Sequence, residues 1–308
     1  MPDERRPVRT LVRAGDSIVN LIAFALMLAL FTYAAYSIWY TWSLTHGSFL
    51  TDELAMYKPD GNRPTLADLM ERNPDVRAWL TIDGTNIDYP MVQGEDNWEY
   101  LNKDVMGDFS LAGAIFLDSN NNADLSDPYN MIYGHHIEGG AMFSDVLEFR
   151  TASFFETYRT GTLWLAEDAY HVDIFACTEA DAMDEVIYRD PHTVTRDELP
   201  SVLEYITSRS VQTREVGITD EDPVIALSTC ENAEGFERVL IFGKLTKMTQ
   251  AEIEAAYLKN QEQSPASLEV NQQEAWYARL LGEPLMLAAA GVLLIILLMI
   301  IVTLITGA

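Results

Sequence analysis

Cysteine is scarce in this chain of 308 residues, which has only Cys177 and Cys230. Two thiols exclude a small scaffold held together by several disulfides. We also disfavour a single bridge, because Cys177 lies in the apolar run DIFAC at residues 173–177, where a free thiol packs as a small core residue. No C-x-x-C or H-x-x-x-H pair is present, and the sequence therefore predicts no zinc site.

Basic residues are also few, with 20 Lys and Arg against 47 Asp and Glu, so that the formal net charge is −27. A field of this sign repels nucleic acid and anionic headgroups, which excludes a nucleic-acid partner. It attracts amines and basic peptides. Solubility near a cell wall or in salt is the simpler explanation of the charge.

Charge is absent from residues 18–42, a run long enough to span a bilayer. Four aromatic residues crowd its C-terminal end, as at a membrane interface: Tyr36, Trp39, Tyr40 and Trp42. Four arginines precede it and predict a cytoplasmic N-terminus: Arg5, Arg6, Arg9 and Arg13. A cleaved signal peptide with residues 21–31 as its apolar region is the alternative, but the apolar run continues past the poor cleavage site YAA.

A second uncharged run covers residues 285–305. Two spans with the N-terminus inside place residues 43–283 outside the cell and return the C-terminus to the cytoplasm. We therefore expect six segments along the chain. They are a cytoplasmic arm at 1–17, a transmembrane helix at 18–42, a helical segment at 43–75, the main domain at 76–248, a helical stalk at 249–283 and a transmembrane helix at 284–306.

The external part changes from helical to strand periodicity near Trp79. Short helices are predicted within 50–70, with Thr65 as an N-cap, and a hairpin is predicted at 79–92 across the turn Asp83-Gly84. Further strands are predicted at 114–117, 130–133, 163–165, 172–177, 224–228 and 239–242, and helices between them at 97–102, 142–149 and 196–208. Many short strands with inserted helices favour a mainly β mixed sheet or barrel over a doubly wound fold.

Chemically reactive side chains of three types follow or begin apolar strands. Cys230 ends the run from 224, Arg238 precedes the run 239–242, and His135 and His136 follow the strand MIYG at 131–134. A thiol, an imidazole and a guanidinium are the groups needed for acyl transfer through a thioester.

Two other readings of these residues remain open. A cell-wall cysteine hydrolase is one, although papain-like and NlpC-type enzymes place the cysteine before the histidine. A non-catalytic anchored receptor with Cys230 in its core is the other.

Residues 118–124 resemble the start of a calcium loop but lack its Gly and Glu, so a plain Asn/Asp turn is favoured.

The motifs together resemble those of the sortases, most closely class B, over residues 50–247. The run LSTC at 227–230 is similar to the family's strand end T/S-L-x-T-C, and Arg238 matches the arginine on the next strand. The run IYGH at 132–135, followed by GAMF at 140–143, is similar to the segment around the class B histidine. Residues 79–101 resemble the class B entry region.

This resemblance implies a closed eight-stranded barrel with N-terminal helices and a helix inserted within 179–222. It implies that Cys230 is the nucleophile, Arg238 the clamp for the oxyanion and substrate, and His135, rather than His136, the general acid and base. Substrate contacts are expected at Ser228, Thr229, Glu231 and Tyr133. No cofactor and no metal is expected.

The implied activity is cleavage of an LPxTG-like sorting signal and transfer of its acyl group to an amine at a Gram-positive-type cell surface. The expected partners are surface proteins that carry the signal, a lipid-linked peptidoglycan precursor as acceptor, and the membrane. Pilins, with a lysine as acceptor, are the alternative, because a second span is commoner among class C pilin polymerases. The class C lid signature, Asp-Pro followed by an aromatic residue, is missing from residues 43–75.

Overall fold

The structure is a computed structural model that describes residues 5–62, 65–137, 140–230 and 237–262. The described residues fall into two units, residues 5–42 and residues 43–262. Helix α1, Arg5–Ser48, contains an apolar stretch of 27 residues, Ile18–Leu44, with a mean hydropathy of 2.2. Within the described residues it is the one helix with the length and composition to cross a membrane. The second predicted span and the stalk beyond Glu262 lie outside the described residues.

The unit of residues 43–262 is built around strands. Their bounds are β1 Val76–Ile82, β2 Asp88–Val92, β3 Ile115–Leu117, β4 Tyr129–Gly134, β5 His136–Ile137, β6 Ala141–Met142, β7 Thr160–Trp164, β8 Ala169–Asp181, β9 Ser210–Thr213, β10 Val224–Cys230 and β11 Glu237–Lys247. The strand order is β11-β10-β4-β3-β2-β1-β7-β8, and a pairing of β11 with β8 closes the ring. These eight strands confirm the predicted barrel, while β9 extends the sheet beyond β8 and β5 pairs with β6.

Short helices surround the barrel. They are α2 Asp52–Ala55, α3 Leu66–Arg72, α4 Ala152–Thr157, α5 Leu199–Arg209 and α6 Gln250–Glu262, with 3-10 turns at Glu99–Leu101, Ser144–Arg150 and Pro191–Thr193. Thr65 caps α3 through a reciprocal pair of hydrogen bonds with Asp68, which confirms the predicted helix start. The predicted hairpin is confirmed as β1 and β2, with Gly84 at a φ of +77° in its turn.

Alternation along the strands gives the barrel two apolar faces. On β10, Ile225 and Leu227 pack in the barrel interior, while Val224 and Ala226 pack outside against the inserted helix α5. Each of the fully buried Val, Leu and Ile side chains contributes about 1.5–3 kcal/mol. The predicted insertion therefore covers the outer face of β4, β10 and β11, and this face carries the site described below.

The N-terminal helices and α6 cover the outer face of β1 and β7, where Trp79 and Trp164 are buried. The ring of Tyr257 on α6 stacks on Trp164 with centroids 5.0 Å apart, and Lys259 forms an ion pair of 2.6 Å with Asp83. The described part of the predicted stalk thus packs on the barrel.

Candidate active site

The strand order places the three predicted catalytic residues on adjacent strands. Parallel pairing of β10 with β4 sets Thr229 opposite Gly134, and antiparallel pairing of β10 with β11 sets Cys230 opposite Arg238. His135 comes one residue after Gly134, so it follows β4 at the level where Cys230 follows Thr229. Because neighbouring parallel strands end at one edge of a sheet, residues about a hundred positions apart meet at one end of the barrel.

The alternation of side chains along each strand shows which face of the sheet carries the candidate site. Tyr129 and Met131 of β4 and Leu240 and Phe242 of β11 pack in the outer cluster under α5. Tyr133 lies two residues after Met131, and Arg238 lies two residues before Leu240, so both occupy outward positions of their strands. Position 230 lies an even number of residues after the outward residues of β10 and belongs to the same series. The candidate site therefore lies on the outer face of the barrel, beside the insertion.

Two predicted substrate residues of β10 lie on opposite faces. The Ser228 hydroxyl lies 2.8 Å from the hydroxyl of Tyr188, which belongs to the insertion. The Thr229 side chain is 1% exposed, and its hydroxyl has no hydrogen-bond partner among the described residues. Thr229 also pairs with Val239 of β11 and Gly134 of β4, so a substrate does not reach its side chain in this structure. Glu231, the residue after Cys230, lies outside the described residues.

His135 is held by the backbone of the loop between β2 and β3. Its Nε2 lies 3.2 Å from the carbonyl oxygen of Leu101. A carbonyl oxygen only accepts hydrogen bonds, so Nε2 carries the hydrogen and the neutral imidazole has its lone pair on Nδ1. Burial lowers the pKa of His135, and the hydrogen bond to Leu101 opposes this effect only in part.

Gly113 makes room for this contact. Its φ is +62°, and a Cβ atom there would lie 2.7 Å from the carbonyl oxygens of Leu101 and Tyr100 and 3.1 Å from Cδ2 of His135. Both the backbone angle and the space thus require glycine.

His136 lies outside β4, as does His135. β4 ends at Gly134, where the ring of Phe143 lies 2.6 Å from the position a Cβ would take and so requires glycine, and the Phe143 amide donates to the His135 carbonyl. His136 instead opens β5 opposite Met142, and its Nδ1 is buried with no partner among the described residues.

Cys177 is a free thiol in the barrel interior. Burial is the main cause that raises its pKa to about 12, so it is a thiol and not a thiolate at neutral pH. Arg238 is partly exposed, and its Nη1 donates to the carbonyl of Glu237 at 3.0 Å.

Tyr133 leads to a residue that sequence reasoning gave no role in the site. Its hydroxyl donates to Oδ2 of Asp118 at 2.9 Å, and burial, followed by the nearby Asp118 carboxylate, raises its pKa well above the ordinary value. Asp118 opens the segment considered above as a calcium loop. Its carboxylate oxygens accept hydrogen bonds within the protein, and no metal-binding group of three His, Cys, Asp or Glu occurs among the described residues.

No protein-family model matches the chain. Sortase B of Listeria monocytogenes is 32% identical over 208 residues, which are 64% of this chain and 84% of that protein. The structure of a class B sortase of Streptococcus pyogenes involved in pilus biogenesis is 39% identical, covers 59% of this chain and 98% of the other, and superposes with a TM-score of 0.54. Sortase B from the type II pilus of Streptococcus pneumoniae is 37% identical, covers 58% of this chain and 97% of the other, and gives a TM-score of 0.51.

These similarities cover 84% to 98% of the other proteins. The predicted resemblance is thereby confirmed: the chain belongs to the sortases, a family of cysteine transpeptidases, and is class B-like.

Proposed function

We propose that this protein is a cell-surface cysteine transpeptidase in which Cys230 attacks the acyl carbonyl of a sorting signal. One observation carries the proposal: the strand register sets Cys230 opposite Arg238 and brings His135 to the same edge. Cys177 lies in the barrel interior with a raised pKa and is unsuited to be the nucleophile.

The tautomer of His135 defines the proton path of this mechanism. Nδ1 takes the proton of the Cys230 thiol, the sulfur adds to the carbonyl carbon, and the Arg238 guanidinium stabilises the oxyanion. Nδ1–H then protonates the leaving amine as the C–N bond breaks, which leaves a thioester on Cys230. An acceptor amine attacks the thioester, Nδ1 takes up its proton, and the new amide forms as the thiol is restored.

The sorting signal is proposed to be LPxTG-like and to bind on the outer face of the barrel. The side chains of Tyr133 and Ser228 lie on this face, with Ser228 3% exposed, and Thr229 and Glu231 are retained as proposed contacts from the sequence motif. Tyr188 hydrogen-bonds with Ser228, so the insertion lies beside this proposed binding surface.

The acceptor is proposed to be an amine, first of all that of a lipid-linked peptidoglycan precursor. The insertion has exposed carboxylates at Asp181, Glu185, Asp190 and Asp197. Other acidic groups nearby are engaged, with Glu179 paired to Arg150 and Glu198 to Arg189. An acidic rim favours a cationic acceptor, and its effect weakens with salt.

A pilin lysine is the second candidate acceptor. The two pilus-linked sortases are 39% and 37% identical to this chain, whereas Listeria sortase B is 32% identical. The higher identity favours a role in pilus assembly.

The protein is proposed to be anchored in the membrane of a Gram-positive-type cell by residues 18–42, with residues 43–283 outside and a second span at 284–306. The apolar stretch Ile18–Leu44 supports the first anchor. A cysteine introduced at Gly307 should resist an impermeant thiol reagent on intact cells. Labelling of Gly307→Cys from outside would refute the second span.

The acceptor is tested by incubating the full-length protein in detergent with a protein that carries an LPxTG-type signal, together with a stem-peptide amine or a candidate pilin. Amine-capped monomer alone supports wall anchoring. Ladders of covalently linked pilin on a denaturing gel support polymerisation. The Cys230→Ala variant is the control and should form neither product.

A further inference from the structure

Asp118 connects two parts of the fold that meet at His135. The residue follows β3 and is 4% exposed. Its Oδ2 accepts hydrogen bonds from the hydroxyl of Tyr133 at 2.9 Å and from Nδ2 of Asn97 at 2.8 Å. Its Oδ1 accepts from the backbone amide of Asn120 at 2.9 Å. One buried carboxylate therefore satisfies three donors.

The bond to Asn97 fixes the loop that holds His135. Asn97 also accepts a hydrogen bond from the Ser119 amide at 2.8 Å, so the loop is tied twice to the segment after β3. Leu101 lies four residues further on, at the end of the 3-10 turn Glu99–Leu101, and presents its carbonyl to Nε2 of His135. The position of this acceptor thus depends on how Asn97 is held.

The bond to Tyr133 fixes the other side of the same contact. Tyr133 lies two residues before His135, near the end of β4. Its ring packs on Phe116 of β3 with centroids 5.3 Å apart, and its hydroxyl reaches Asp118. Strand β4, which leads directly into His135, and the loop that carries the acceptor of its imidazole are consequently joined through one carboxylate.

We propose that Asp118 is a positioning residue, whose carboxylate holds the Leu101 carbonyl against Nε2 of His135 and so fixes the imidazole with its hydrogen on Nε2. Its catalytic consequence rests on the proposed function, in which Nδ1 exchanges protons with Cys230. The hydrogen bonds themselves do not depend on that function. Without Asp118 the loop keeps the bond from the Ser119 amide to Asn97 but loses the bond to the carboxylate, so the Leu101 carbonyl is held less firmly and the imidazole samples both tautomers.

Asp127 provides a matched control in the same segment. It is 6% exposed, and its carboxylate accepts hydrogen bonds from Nδ2 of Asn121 and from the backbone and side chain of Asn122. It also lies 3.7 Å from His192. Asn122 and His192 belong neither to the loop of Leu101 nor to β4, and Asn121 bonds the backbone of β4 at Tyr129 and Met131, four or more residues before His135. Asp127→Asn therefore reports the cost of removing a similar buried carboxylate without the proposed effect on His135.

Asp118→Asn is the principal variant. An amide has one oxygen and one nitrogen, and the nitrogen cannot accept a hydrogen bond, so a donor among Tyr133, Asn97 and Asn120 loses its partner. Tyr133→Phe is the second variant, because it removes only the hydroxyl and leaves Asp118 in place. The full-length protein, with its five histidines labelled with ¹⁵N, is studied in detergent micelles.

Three quantities are measured for each variant: the His135 tautomer from long-range ¹H–¹⁵N spectra, kcat and KM for transpeptidation, and the thermal midpoint. A His135→Gln sample assigns the His135 signals. In the parent protein and in Asp127→Asn, we expect the hydrogen on Nε2. In Asp118→Asn, we expect a mixture of tautomers and a kcat lower by about 10- to 100-fold, with KM within about threefold. Tyr133→Phe should shift the tautomer in the same direction by less.

The proposal is overturned if Asp118→Asn keeps the single Nε2–H tautomer, if its kcat falls no more than that of Asp127→Asn, or if the parent protein has its hydrogen on Nδ1. The spectra decide on the hydrogen-bond network even if the parent protein shows no transpeptidation, which would contradict the proposed function alone.

Discussion

Replacing Gly113 with alanine should damage both the fold and the site, because a methyl group there would press on the contact that holds His135. Its Cβ would lie 2.7 Å from two backbone oxygens, those of Leu101 and Tyr100, and 3.1 Å from the His135 ring. Backbone oxygens cannot rotate away as the end of a flexible side chain can. The loop must therefore shift, and the Leu101 carbonyl must shift with it.

Gly107 in the same loop separates the two costs of such a substitution. Its φ is +87°, and no atom lies within 4 Å of where its Cβ would be. Positive φ costs an alanine about 1 kcal/mol at either site. Crowding against fixed atoms adds about 1–3 kcal/mol at Gly113 alone. Gly113→Ala should accordingly lower the free energy of unfolding by about 2–4 kcal/mol and Gly107→Ala by about 1 kcal/mol.

Chemical denaturation of both variants measures this difference, and transpeptidation measures its effect on the site. The kcat of Gly113→Ala should fall about 100-fold, since a misplaced catalytic group reduces the rate by about this factor. That of Gly107→Ala should stay near the parent value. Equal stabilities of the two variants would refute the close approach of Gly113 to the Leu101 carbonyl.

Three further predictions concern individual side chains. Cys177→Ala should lower the free energy of unfolding by about 1 kcal/mol and leave kcat within about threefold, because Cys177 serves only in packing; a large loss of kcat at unchanged stability would contradict this. Arg238→Lys keeps the charge but not the planar fork, so kcat should fall about 100- to 1,000-fold, whereas a near-normal kcat would show that only the charge matters. Burial lowers the pKa of His135, so the unfolded imidazole binds a proton more readily than the folded one, and this histidine reduces stability as the pH falls below about 6.5. In a Cys230→Ala background, His135→Gln should therefore become more stable relative to its parent between pH 8 and pH 5, and a difference that does not change with pH would contradict the lowered pKa.

Strand positions could be predicted from the sequence where alternation is strong. The predicted strand at 224–228 is found as β10, Val224–Cys230, because its residues alternate between two apolar environments. The strand predicted at 239–242 extends over Glu237–Lys247, because β8 and β10 pair with it on both sides and supply backbone hydrogen bonds along its whole length. Its ends are polar, so the sequence pattern did not predict this extension. β5, β6, β9 and α4 were not predicted, because segments of two to six residues are too short to show a period.

In the candidate site, too, some residues could be predicted from the sequence and others could not. Cys230, His135 and Arg238 were predicted because a reactive side chain at the end of an apolar strand is visible in the sequence, and their joint role stays a proposal. The acceptor for His135 is a backbone carbonyl, that of Leu101, and a backbone group has no sequence signature. Asp118 was noticed only as part of an Asn/Asp-rich turn, because its links to Asn97 and Tyr133 depend on how three segments pack.

Formation of the thioester on Cys230 is tested most directly by intact-mass spectrometry of the full-length protein mixed with an LPxTG-type peptide without an acceptor amine. We expect an adduct with the mass of the acyl fragment, mapped to Cys230, that disappears when an amine is added. The same adduct should form in Cys177→Ala and none should form in Cys230→Ala. An adduct on Cys177, or cleavage of the peptide by Cys230→Ala, would contradict the assignment of Cys230 as the nucleophile.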